Sequence, residues 1–142
     1  MRSIASLVFC LFLLAAPVAA APMNTSTLPP VITDGLKAYK DTGPEEAVKA
    51  WIKGSPIDGS REALSQSNNL HQVQDFYGAY QDYDLVKIVT VSPRIMDVYL
   101  VLDFQKGPLF SKFVLYRTDQ GWVLTSFNFN TKTDAVFPPD LQ

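Results

Sequence analysis

The hydrophobic period of this chain changes near Asp82, and that change decides most of what it can fold into. Upstream, apolar residues recur at three- and four-residue spacings. Downstream, four segments of strand length follow one another: "DYDLVKIVTVS", "RIMDVYLVLDFQ", "LFSKFVLYRT" and "WVLTSFNFN". All are rich in β-branched and aromatic residues, which suit a pleated, half-buried surface. Only "SP", "KGP" and "TDQG" separate them, and connections this short cannot hold the crossover that parallel neighbours require. The four strands should therefore form an antiparallel meander, with "DQG" a tight hairpin ending at Gly121.

The upstream half reads as punctuated helix. "VITDGLKAYKDTG" puts Ile32, Leu36 and Tyr39 on one side. Gly43 and Pro44 stop and restart the chain; Pro44 suits a first helical turn, and Glu45 and Glu46 favour its positive end. "EEAVKAWIKG" then offers Ala47, Val48, Trp51 and Ile52 as an apolar side until Gly54. Ser60 is placed to cap a longer helix over 61–80, whose apolar stripe is Leu70, Val73, Phe76, Tyr77 and Tyr80. A sheet with one apolar face must be covered, and these helices are the cover at hand. The expected fold is α+β, with N-terminal helices packed on a curved four-stranded antiparallel meander sheet.

Residues 1–20 read as a cleaved signal peptide: Arg2 precedes the apolar run "IASLVFCLFLLAAPVAA", and Val18 and Ala20 have the spacing an export peptidase prefers. The run is short for a spanning helix, so no membrane span is expected after cleavage. Cys10 leaves with the leader, and the mature chain has no thiol. Residues 21–30 read as a flexible leader, 31–137 as a single domain, and 138–142, behind Pro138 and Pro139, as a tail. The expected location is periplasmic or secreted. The 12 Lys and Arg against 14 Asp and Glu are scattered, with no cluster able to track a phosphate backbone, so nucleic acid is not an expected partner.

Along the second strand, Met96, Val98, Leu100, Leu102 and Phe104 form an apolar row suited to packing beneath the helices. The other side carries Ile95, Asp97, Tyr99, Val101 and Asp103, and is only half polar. Strict alternation in the fourth strand sets Val123, Thr125, Phe127 and Phe129 against Trp122, Leu124, Ser126 and Asn128. Both faces then hold bulky apolar groups, which implies a second layer over part of the outer one, another molecule there, or the scattered surface hydrophobes common to folded proteins. Tyr99, Tyr116, Trp122 and Asn128 are the candidate ligand or interface residues. They fit a homodimer joined through the sheet face, or a groove for a small apolar or aromatic ligand.

Candidates for chemistry are few. His71 and Asp75 lie one helical turn apart and could form an acid–base dyad. Both fall outside the apolar stripe of their helix, so the pair points to solvent. With no mature cysteine and no second histidine, no metal site is expected. Asp97, with Tyr99 two residues on, is the candidate general base should it face a closed hollow, where burial would raise its pKa. Asp97 and Asp103 stand about 20 Å apart along a strand, too far for a glycosidase pair. No phosphate-cradling glycine motif and no "GxSxG" is present, and no cofactor is expected.

The stretches "AYKDTGPEEAVKAWIKGSP", "YGAYQDYDLVKI" and "KGPLFSKFVLYRTDQGWVLTSFNFNT" resemble small exported bacterial proteins of the nuclear-transport-factor-2-like and cystatin-like α+β roll superfamily. The resemblance spans most of residues 31–134. It implies a cone of sheet and helices that can host ketosteroid-isomerase-like or dehydratase chemistry, binding modules or assembly domains. Asp97 and Tyr99 are the nearest counterparts of the enzymes' polar residues, without a full catalytic signature, and the long helix between early strands is missing. The expected function is a non-enzymatic exported accessory or binding domain using its aromatic-rich sheet face. The alternatives are a small-ligand isomerase-like or dehydratase-like enzyme with Asp97 as base, and a structural subunit of an envelope complex.

Overall fold

The computed structural model describes residues 27–142; residues 1–20, read as a signal peptide, and most of 21–30, read as a leader, lie outside them. Three helices come first, α1 (Pro30–Asp41), α2 (Pro44–Ile52) and α3 (Arg61–Tyr77). Four strands follow, β1 (Tyr80–Ser92), β2 (Ile95–Phe104), β3 (Gly107–Thr118) and β4 (Gly121–Asn130), then two 3-10 turns at Thr133–Ala135 and Pro139–Leu141. The strands pair in the order β1-β2-β3-β4, antiparallel throughout. This is the expected α+β arrangement of helices against a meander sheet.

The α3 boundaries show the local chemistry. Ser60 Oγ accepts from the Ala63 amide at 3.1 Å, satisfying one of the free N–H groups of the first turn. Ser60→Ala should lower the unfolding free energy by about 1 kcal/mol, read as a shift in the urea midpoint at unchanged slope. The helix stops at Tyr77 rather than Tyr80. Gly78, at φ 85°, turns the chain left-handed, a conformation that costs a residue with a Cβ, and Tyr80 already opens β1. The side facing the fold is Ala63, Ser67 and Leu70, with Val73 and Tyr77 half-buried, while Phe76 is 75% exposed. Phe76 therefore does not belong to the packed stripe.

The space between α2 and the sheet is filled around Trp51, and a recess of about 460 Å³ remains at the margin between α3 and the sheet, lined by Val73, Tyr77, Leu109 and Phe129. Trp51 of α2 has no exposed surface, lies 5.1 Å from the Phe113 ring and 5.7 Å from Phe129, and donates its indole N–H to the Ile32 carbonyl at 3.1 Å. Val98, Leu100, Leu102 and Phe104 of β2 meet this core, with Met96 packed at its margin. Ser111, the polar residue on the inner side of β3, is buried and donates to the Leu100 carbonyl at 2.9 Å. Tyr39 binds α1 to α3 by donating to the Leu70 carbonyl at 3.4 Å. Burial raises the pKa of both Tyr39 and Tyr80 far above the ordinary phenol range.

The two-sided look of β4 has a local cause. Val114 pairs with Ser126 but Leu115 with Leu124, leaving Thr125 as an extra residue. Its hydroxyl donates to the Val114 carbonyl at 3.1 Å. One inserted residue reverses the alternation. Trp122, Leu124, Phe127 and Phe129 consequently all reach the helix-side core, and the strict alternation expected for this strand is corrected. Edge strand β1 shifts register three times, around Gln81, Val86 and Val91. Such bulges bend a strand and blunt a free sheet edge, and they leave Val86 and Val91 38% and 57% exposed.

The outer face has its own layer. Val136 and Phe137 pack on Tyr99, with Val89, Val101, Phe110 and Leu141 around them. Residues 138–142, set apart from the fold by their prolines, instead continue this covering segment. Leu28, within the stretch read as leader, is buried in the main core.

Candidate functional site

The residues singled out by sequence divide between the two sheet faces. Asp97 and Tyr99 of β2 stand on the outer side with Lys112 of β3. The Lys112 ammonium is 2.8 Å from the Asp97 carboxylate and 5.4 Å from the centre of the Tyr99 ring. The hydrogen bond to Asp97 raises the Lys112 pKa against the opposing effect of burial. Tyr99 is itself covered, with Phe137 edge-on at 5.8 Å. Asn128 also serves this cover, since its side-chain amide donates to the Ala135 carbonyl at 3.1 Å. Tyr116 lies beyond the cover, 38% exposed, and its hydroxyl accepts from Arg94 at 3.4 Å. Trp122 sits on the opposite face, packed on the helix-side core with Arg117 at 6.0 Å from its ring. The four candidate contact residues thus do not form one surface.

Asp103, also on the outer side, pairs across strands with Asp82. Its pKa is raised by desolvation first, then by the Asp84 and Asp82 charges. A carboxyl whose folded pKa is raised favours the fold below its unfolded value and loses that contribution as pH rises through the folded one. Asp103→Asn should therefore raise the melting temperature at neutral pH. The gain should vanish as pH falls below the ordinary carboxyl value of 3.8, which melts across a pH series would show.

A recess lies elsewhere, between α2 and α3, as a groove of about 550 Å³. Val48 and Ile52, one turn apart on α2, and Ala63 and Leu64 on α3 supply apolar walls. Leu64 is 65% exposed at the lip. The 53–60 connector closes one end, where Asp58 accepts from the Gly54 amide at 3.4 Å. The rim is charged and mixed, with Glu45, Lys49, Asp58, Arg61 and His71. Lys49 bridges Glu45 at 3.0 Å and Glu46 at 2.7 Å. The Glu45 pKa is lowered chiefly by Lys49, with a small contribution from His71. His71 and Asp75 are both exposed, as their helical positions implied. His71 of α3 and Glu45 of α2 line the same groove.

Sequence reasoning missed this groove because Val48, Ile52 and Ala63 read as ordinary core. Its existence depends on how far α2 and α3 stand apart, which no single helix pattern encodes. Exposed Leu64, flanked on its helix by Arg61, Asn68 and His71, was the available signal. Among the described residues, no group of three or more His, Cys, Asp or Glu side chains is placed to share a metal ion, and no helix is long and apolar enough to cross a membrane. No protein-family model, curated protein or solved structure matches this chain.

Proposed function

We propose that this chain is a non-catalytic binding domain, exported to the periplasm or beyond, that holds a small amphiphilic molecule in the α2–α3 groove. The observation carrying this reading is the contrast between a filled interior and an open groove with apolar walls and a charged rim, the lining that favours ligands with an apolar body and a polar end. The isomerase-like or dehydratase-like alternative needs Asp97 in a closed hollow. It draws no support from a carboxylate that is ion-paired to Lys112 on the face away from the helices. Exposed Ile95 and Tyr116, cross-strand neighbours on the outer sheet face, support a secondary role for that face in pairing two copies or joining an envelope assembly. Helices preceding a four-stranded meander support kinship with the nuclear-transport-factor-2-like or cystatin-like rolls.

The fluorescent probe 1-anilinonaphthalene-8-sulfonate, an aromatic body with one anion, tests the groove. The native chain should bind it saturably, and Leu64→Asp should weaken binding at least tenfold while leaving the melting curve cooperative. Equal binding by both proteins, or none by the native chain, rejects the groove as the ligand site.

A further inference from the structure

We infer that the outer sheet face is a receptor slot for a protein segment of aromatic–Pro–Pro–acid chemistry, and that this chain's own Phe137-Pro138-Pro139-Asp140 fills it in cis. The inference is independent of the α2–α3 groove.

Three observations carry it. First, the covering segment is attached in the manner of a ligand. Its backbone–backbone hydrogen bonds are local: Ala135 to Lys132, Val136 and Phe137 to Thr133, and Leu141 to Pro138. Its attachment to the sheet comes through side chains. Second, those contacts form a specific recognition set. Phe137 stands edge-on to Tyr99 at 5.8 Å and to Phe110 at 5.4 Å. Asn128 reads the Ala135 carbonyl at 3.1 Å, and Lys87 of β1 meets Asp140 at 3.0 Å. Third, the prolines limit the backbone freedom the segment must give up on docking: Pro138 holds φ −66° and ψ 160°, and Pro139 opens the 3-10 turn that presents Asp140 to Lys87. An aromatic side chain fills the slot, prolines carry the chain across it, and an acid reaches the lysine.

Tethering sets when such a slot is open. A segment joined by a short linker competes at an effective concentration in the millimolar range. An identical free peptide should therefore displace it poorly, while a partner with more contacts, or any loss of the cis segment, should open the slot.

The test uses the full chain carrying Phe137→Ala as receptor and a synthetic peptide with the native sequence of residues 131–142 as ligand. The variant should bind the peptide saturably and at least tenfold more tightly than the native chain does. A peptide carrying the same Phe137→Ala change should not bind. Adding Lys87→Glu to the receptor should weaken binding, and an Asp140→Lys peptide should restore it, whereas Leu64→Asp should change nothing. If Phe137→Ala loses its cooperative melt, the full chain with Phe137→Leu serves as receptor, because it gives up both ring contacts of the cis segment and keeps an apolar side chain over Tyr99. Absence of saturable binding to a folded receptor at millimolar peptide overturns the inference. So does binding that ignores the loss of the peptide's phenyl ring.

Discussion

Trp51→Ala should lower the unfolding free energy by about 3–5 kcal/mol, the range for a buried aromatic reduced to a methyl. Trp51 has zero exposure, and it joins three layers: α1 through the Ile32 carbonyl, its own helix, and the sheet through Phe113 and Phe129. Truncation removes apolar burial and two tilted or edge-on ring contacts, and leaves a void that fixed helix backbones cannot close. A domain of this size has roughly 5–15 kcal/mol in total, so the variant should sit near the edge of folding. Urea titration at neutral pH would show a large drop in midpoint. A loss under about 1 kcal/mol, the size of a surface effect, would mean that the indole is not at the centre of the core.

Gly35→Ala should also destabilise, although an alanine inside an ordinary helix gains about 1 kcal/mol over glycine. Gly35 lies in the middle of α1 with its Cα hydrogen facing Trp51, and a methyl there would overlap the indole ring. The clash is with a rigid bicyclic group held by its own hydrogen bond, so α1 and α2 would have to separate. Overpacking of this kind costs about 1–3 kcal/mol, enough to reverse the helical gain. The same substitution in a Trp51→Ala background should recover its usual favourable sign. This inversion in a double-mutant cycle reports close approach of the two helices and is not expected from helix propensity alone.

Those two residues differ in how legible they were. Trp51 could be assigned to the core from sequence because Ala47, Val48, Trp51 and Ile52 share one helical side. Gly35 could not, because its role depends on a neighbour from another helix. The same distinction runs through the fold. The period change near Asp82 and the short connections required an antiparallel meander, and the uninterrupted row on β2 identified the buried face. Alternation failed in β4, where the extra Thr125 moves Phe127 and Phe129 onto the side of Trp122 and Leu124. A bulge leaves no mark in a two-residue period beyond an unexplained mixture of polar and apolar groups on both sides. Here that mixture was visible, and was read as a second layer or another molecule on the outer face.

That layer exists, but its source was hidden. Pro138 and Pro139 bar regular helix and central strand, and neither prevents packing. Phe137, just before them, covers Tyr99 and Phe110 without joining the ladder. The candidate site was legible to the same limited degree. The outward direction of His71 followed from helical geometry, while its proximity to Glu45 required the relative placement of α2 and α3. Asp97 and Tyr99 were correctly placed on one side of one strand. Lys112 and the covering segment, both remote in sequence, determine what surrounds them.

The central claim is that the sheet is covered on both faces, by Trp51 and its helix inside and by Phe137 outside, so that ligands meet the protein at its surface. A nuclear Overhauser spectrum of the aromatic protons in the native chain tests it most directly. Contacts from Trp51 to Phe113 and Phe129 should appear together with contacts from Phe137 to Tyr99 and Phe110. A spectrum with the first set but with Phe137 free of both rings, or with Trp51 remote from Phe113, would contradict the account.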